Sequence, residues 1–350
     1  MANEIAAEVH PDPADYWVLA PEWKELLGQT GETSPFLMPL WVGLSYEYFG
    51  GERLSFLISL RDRDGKLVGI APLAIVPAGN TVRFAVDSRL TDYADLVIAP
   101  AARVDSIAKI VETIRDFMGG ERFGVVLEPV RGNSPNLLAL EQALGGQSRM
   151  TSAHLAIKLP QNPDEFLYRV LRPEDRKSLL RRESRLTRSH EIEVECLTEP
   201  MEVSDNLDDL LWMFVAESPE KKGFMTPERE AFLREVMPLA AKEGSCRLYY
   251  IKVDGARVAG HLVLENRETV FVYMSAEGAV GAELSAGILL LKSITENAIE
   301  RGFFWLDFGR GGEEYKRKLG AKEGKVYRLM AGEPSGIEED GGKPENLMQL

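Results

Sequence analysis

Cysteine and histidine are scarce: two cysteines, Cys196 and Cys246, and four histidines stand among 350 residues. Two unpatterned cysteines exclude a disulfide framework, and no His/Cys/carboxylate spacing suggests a metal site. Nothing resembles a Ser-His-Asp or Cys-His set, and neither the Rossmann nor the P-loop glycine pattern is present. No apolar run approaches the roughly 20 residues that a membrane-spanning helix needs. The opening MANEIAAEVHPDPADYW has no basic segment followed by an apolar one, so no signal peptide is expected. Basic residues are outnumbered by acidic ones, 41 to 55, and the formal net charge of −14 argues against general nucleic-acid binding. The expectation is a cytoplasmic protein that takes no metal.

The length suits two domains better than one core. Hydrophobic residues at 45% and charged residues at 27% are ordinary for a globular chain. The two halves read alike. LSFLISL, the turn Asp62-Arg63-Asp64-Gly65, LVGIAPLAIV and TVRFAV make one three-strand meander. RLYYIKV, the turn Asp254-Gly255, RVAGHLVLE and ETVFVYM make another, because Asp-Gly between β-rich runs is a strong hairpin signal. Each meander is followed by a helix (Val104 to Met118; Gly287 to Glu300) and a strand (Gly124 to Glu128; Phe303 to Asp307). The second half continues to a strand near Lys325 to Met330. The seam is expected at Pro160 to Pro163. The segment 333–350, rich in Gly, Pro and Glu, reads as a disordered acidic tail.

Chemistry concentrates in the second half. The apolar strand from Phe303 ends in Asp307, a loop with Gly309, Gly311 and Gly312 follows, and a short basic helix carries Tyr315 and Lys316. Upstream, Ser285-Ala286-Gly287 stands where a strand hands over to a long apolar helix, and small residues there let backbone N–H groups and the helix dipole face an anion. Asp307 reads as a general base or amine-binding group, or as a cap for its loop. Lys316 reads as a phosphate partner or a surface lysine. Asp92, Tyr93 and Asp95 in the first half read as contacts for a cationic or hydroxyl-rich acceptor, or as a turn with solvated carboxylates. His261, alone within a strand, reads as structural sooner than catalytic. After Pro173, a helix places Lys177, Arg181, Arg185 and Arg188 on one face and Leu179, Leu180 and Leu186 on the other. That stripe faces a phosphate-rich ligand or simply water.

These elements and residues resemble the GNAT acyltransferase superfamily, and more closely its tandem-GNAT branch with the CelD/BcsL-type cellulose-biosynthesis acetyltransferases, related in architecture to FemAB-like enzymes. SPFLMPLW, GKLVGIAPLAI, TDYADLVI and above all DFGRGGEEYK carry the likeness, over about residues 15 to 332. The resemblance implies a mixed α/β fold of two tandem GNAT-like acyl-CoA N-acyltransferase domains: 1–160 without a cofactor loop, and 161–332 with the acyl-CoA site. It implies that Glu283, Leu284, Ser285, Ala286, Gly287 and Ile288 wrap the pyrophosphate of acetyl-CoA or another acyl-CoA, with Lys316 nearby. Tyr315 would protonate the departing thiolate, or else serve only in packing. The acceptor would be an amine or hydroxyl of a sugar or amino-acid-like molecule, as in envelope polysaccharide biosynthesis, and the first half would close one wall of its cleft. Two alternatives remain: a FemAB-like transferase that takes aminoacyl-tRNA, and a non-catalytic module that binds a glycan or partner.

Overall fold

A computed structural model describes residues 4–31, 34–50, 54–76, 80–334 and 348. The chain forms two compact units, Met1–Ser152 with Lys325–Pro344, and Ala153–Gly324 with Glu345–Leu350. Most of the expected tail, 335–347 and 349–350, lies outside the described residues. Met348 does not behave as tail, because it is buried in the second unit.

The first unit begins with β1 (Ala6–His10), α1 (Pro13–Thr30) and α2 (Pro39–Phe49). The meander β2 (Leu54–Arg61), β3 (Leu67–Val76) and β4 (Thr81–Phe84) follows, then β5 (Val97–Ile98), α3 (Arg103–Phe117), β6 (Gly124–Arg131) and α4 (Leu137–Leu144). Asp12 and Pro13 start α1: the Asp12 carboxylate accepts the Ala14 N–H at 2.9 Å, and proline at the first helical position loses no hydrogen bond. The strands run β1-β2-β3-β4-β6, with β5 beside β3. All these pairs are antiparallel except β4 with β6.

The chain enters the second unit within β7 (Gln147–Lys158). There follow α5 (Pro163–Glu165), one π turn at Phe166–Val170, α6 (Pro173–Ser189), β8 (Ile192–Leu197), α7 (Pro200–Glu217), α8 (Pro219–Phe224) and α9 (Pro227–Lys242). The second meander is β9 (Cys246–Val253), β10 (Ala256–Glu265) and β11 (Thr269–Glu277). It leads through α10 (Ala279–Leu284) and α11 (Ala286–Glu300) to β12 (Trp305–Arg310), α12 (Glu314–Lys318) and β13 (Lys322–Gly332). The expected hairpin between β9 and β10 is present, with Asp254 at φ 50° and Gly255 at φ 83°, the positive angles of a type I′ turn. The strands run β7-β12-β11-β10-β9-β8, and only β11 with β12 is parallel. Helix α11 packs on one face of this sheet through Leu290, Leu291, Ile294 and Ala298, among Ile251, Ala259, Val263 and Val270. A large aliphatic side chain buried this way stabilises the fold by about 1.5–3 kcal/mol.

The expected repeat is therefore present: meander, helix, then a strand parallel to the meander's last strand. One expectation is corrected. The strand near Lys325 to Met330, read as part of the second half, pairs with β6 of the first unit, from Val326 opposite Arg131 to Gly332 opposite Gly124.

Candidate active site

Strands β11 and β12 keep company for three residues, Thr269–Phe271 against Trp305–Asp307. Beyond Phe271 strand β11 runs on to Glu277, still paired with β10 but with a register shift opposite Leu262 and Val263. Its other edge meets new partners. The Ser275 N–H donates to the Met348 carbonyl at 2.7 Å, and the Glu277 N–H donates to Glu217 Oε1 at 2.6 Å. Two parallel strands that part in this way leave the far end of β11 without a neighbouring strand on that side, and the chain's own groups take the N–H donors there.

The start of α11 stands beside this edge. Glu283 and Leu284 end α10, Ser285 caps α11 in the left-handed region (φ 59°), and Ala286, Gly287 and Ile288 form its first turn. A left-handed residue other than glycine is uncommon, and here it turns one helix directly into the next. The small residues expected between a strand and a helix stand instead between α10 and α11, and a side chain of the protein fills the cradle they form. Glu277 Oε1 accepts the Gly287 N–H at 2.7 Å, and the Ala286 N–H also supports that carboxylate. Burial pushes the Glu277 carboxyl above its ordinary range; the two N–H groups oppose the shift and the nearby Glu217 charge adds to it. Glu217 in turn pairs with the buried Lys221, whose ammonium burial pulls below its usual range. Ser285 Oγ accepts from Arg182 on α6.

Beneath the cradle lies a cross-strand pair. His261 Nε2 is 3.1 Å from the Gly287 carbonyl, which only accepts, so Nε2 carries the proton. Nδ1 is then the acceptor for Ser275 Oγ at 2.8 Å. Both side chains are fully buried. Burial, against the help of the Gly287 carbonyl, holds the His261 imidazole down to about 4. It is a neutral tie between β10, β11 and the first turn of α11, as a structural reading of a strand histidine requires.

At the end of β12 one expectation changes. Lys316 is 0% exposed. Its ammonium donates to the Phe308 and Arg310 carbonyls, both at 3.1 Å, and meets the Glu313 carboxylate at 2.8 Å. It locks the Gly309–Glu313 loop from inside and is not a surface group for phosphate. Asp307, also buried, accepts the Gly309 N–H at 2.8 Å, so one of its oxygens caps the turn. Tyr315 is half-buried, with its ring edge-on to Phe308 at 6.5 Å.

In the first unit Asp92, Tyr93 and Asp95 are all buried, which corrects the reading of a turn with solvated carboxylates. Asp95 accepts from the Leu96 N–H (2.7 Å), the Ser134 hydroxyl (2.5 Å) and the Asn136 amide (3.0 Å). The Arg131 guanidinium lies 3.7 Å from the centre of the Tyr93 ring. The helix after Pro173 behaves as its pattern demands: Leu179 and Leu186 are buried, while Lys177, Arg181, Arg185 and Arg188 are exposed. No group of His, Cys and carboxylate side chains that would hold a metal ion occurs among the described residues.

Sequence reasoning missed Glu277, Glu217, Lys221 and Ser275. Glu277 carried a weak signal: a lone acidic residue closing an apolar strand just before a glycine and the small-residue junction. The Ser275–His261 pair follows only from the strand register.

Residues 174–317 match the family model of an acetyltransferase (GNAT) domain. No curated protein sequence matches the chain. Among solved structures, FemX is similar over 89% of this chain and 95% of its own, at 12% identity and a TM-score of 0.63. L-PGS from Bacillus licheniformis is similar over 92% of each chain, at 14% identity and a TM-score of 0.57. A tandem GNAT protein from the clavulanic acid biosynthesis pathway covers 95% of this chain and 100% of its own, at 15% identity and a TM-score of 0.51. At such identities the likeness is one of fold: a mixed α/β architecture of the GNAT kind, present in tandem.

Proposed function

We propose that this protein is an acyltransferase whose second unit takes an acyl group from acyl-CoA and passes it to an amine, or a hydroxyl, of an amino-acid-like or sugar acceptor. The observation that carries the reading is the carboxylate already held on the Gly287 and Ala286 N–H groups, at the mouth of the parted strands. An anion is what that helix start selects, and a donor's pyrophosphate would compete for it. Glu277, displaced, becomes a carboxylate with a raised affinity for protons beside the acyl group, suited to take a proton from the acceptor's ammonium and free the neutral amine for attack. The Ser275 N–H, on the same edge, would polarise the acyl carbonyl. The neutral amine nitrogen bonds to the acyl carbon, the carbon–sulfur bond breaks, the Tyr315 hydroxyl gives its proton to the thiolate, and the proton that the nitrogen loses as the amide forms restores that hydroxyl. Envelope polysaccharide as the acceptor's setting is part of the same proposal.

A second reading, aminoacyl-tRNA as donor, is favoured by one observation. The exposed cationic face of α6 lies next to the α11 start, where Arg182 reaches Ser285. Salt-dependent attraction of a phosphate backbone is what such a face provides.

Thermal shift and turnover with acetyl-CoA separate the readings. Glu277→Gln removes the charge that competes for the cradle, so it is expected to strengthen CoA binding while lowering turnover by about 10²–10⁴-fold. Native turnover should rise with pH through a value above the ordinary glutamate range, and this step should vanish in the variant. Gly287→Glu should abolish CoA binding. An absent response to CoA in the native chain, with tRNA binding lost in Arg181→Glu, would replace the first reading with the second.

A further inference from the structure

The first unit has its own version of the parted strands. Strands β4 and β6 are parallel only at Thr81–Val82 against Gly124–Val125. Beyond Phe84 the chain leaves β4, and the connection to α3 lies along β6, where the Ala94 N–H donates to the Pro129 carbonyl at 2.7 Å. At the far end of this connection is a cavity of about 130 Å³ whose polar wall includes Thr30, Arg103, Arg131, Asn133, Ser134 and Asn136. It occupies the position in the repeat that the α11 start occupies in the second unit: past the end of the parallel pair, at the first residue of the crossover helix. The contents differ. No carboxylate lines this cavity among the described residues, and two guanidiniums do.

Both guanidiniums are held in place. The ring of the buried Tyr93 supports Arg131 from one side, at 3.7 Å. Arg103 Nε donates to Asn136 Oδ1 at 3.2 Å. Asn136 is itself fixed, since its amide donates to Asp95 and to the Leu96 carbonyl at 2.8 Å. Asp95 therefore stands behind the wall as its organiser, engaged by Ser134 and Asn136, and the lining carries a charge of two positive groups in a chain whose net charge is −14. Arg103 opens α3, so the helix dipole adds to the positive field. Fixed, forked guanidiniums suit a planar or tetrahedral oxyanion. The size limits the occupant, because sites that enclose drug-sized molecules run to roughly 300–1,000 Å³.

We propose that this cavity is a receptor for a small oxyanion group, a carboxylate or a phosphate, in the first unit. The site stands independently of the acyltransferase reading.

The test is calorimetric titration of the full chain at low ionic strength with two probes, inorganic phosphate and acetate. One saturable site is expected for at least one probe, and the preferred probe identifies the group. Arg103→Gln should weaken it tenfold or more. Arg131→Lys, which keeps the charge and loses the fork, should also weaken it, and a native-like circular dichroism spectrum for each variant separates this from unfolding. Gly287→Glu, which blocks the α11 start of the other unit, should leave the binding unchanged. Absence of saturable binding of both probes overturns the proposal, as does binding that survives both arginine substitutions or that disappears in Gly287→Glu.

Discussion

His261 shows how one side chain sets a pH limit. Its imidazole binds a proton near 6.5 when the chain is unfolded, but only near 4 in the folded protein, because burial disfavours the charged ring. Between those values the unfolded state holds more protons, so stability falls as pH drops from about 6.5 to about 4 and levels off below. The full effect is on the order of 3 kcal/mol. Glu277 works in the opposite sense just above the ordinary glutamate range, since its raised affinity makes the folded state take up a proton first. Urea midpoints at pH 7 and pH 4.5 should therefore drop more in the native chain than in His261→Gln. Equal drops would mean that His261 is not the buried neutral group described. The same residue scale separates what the sequence discloses from what it hides. Gly255 after Asp254 is readable because a two-residue turn is a local choice. The bond from Glu277 to Gly287 is hidden because it depends on the left-handed turn at Ser285 and on where α11 lies.

Elements were legible when their pattern matched one period. The meanders β2-β3-β4 and β9-β10-β11, with α3, α11 and β12, emerge at nearly the expected residues. Helix α2 was not read, because its first seven residues are all buried and leave no polar face to mark a helical period. Strand β7 was missed for the opposite reason: QSRMTSAHLAIK carries few apolar residues, and only Leu155 and Ile157 are buried. The contact least visible in sequence is that of Met348 with the edge of β11. Its carbonyl takes the Ser275 N–H that a donor's acyl carbonyl would need. Ending the chain at Leu347 removes that carbonyl and should lower the KM for the donor several-fold, with kcat little changed. An unchanged KM would mean that the Ser275 N–H takes no part in donor binding.

At the scale of the whole chain, one plan is used twice and the same position is given opposite chemistry. In the second unit a carboxylate lies on the backbone N–H groups of a small-residue helix start. In the first, the corresponding helix opens with Arg103 and faces a second guanidinium, so side chains and not backbone groups define the site. Backbone N–H groups behind alanine and glycine let a bulky pyrophosphate approach closely, whereas a cavity of about 130 Å³ walled by arginines admits only a small group. The two positions are thus predicted to divide their ligands by size. Hydrogen exchange followed by peptide mapping can read both at once. Acetyl-CoA should slow exchange over β11 to the first turn of α11, residues 269–288, and leave residues 91–103 unaffected. The small oxyanion should do the reverse. Protection of residues 91–103 by acetyl-CoA would mean that the donor's phosphates use the arginine site, and the assignment of donor to the second unit would have to be given up. With the division upheld, the duplication has a physical reason: a position fitted for one oxyanion does not fit the other, and two copies allow each to be built separately.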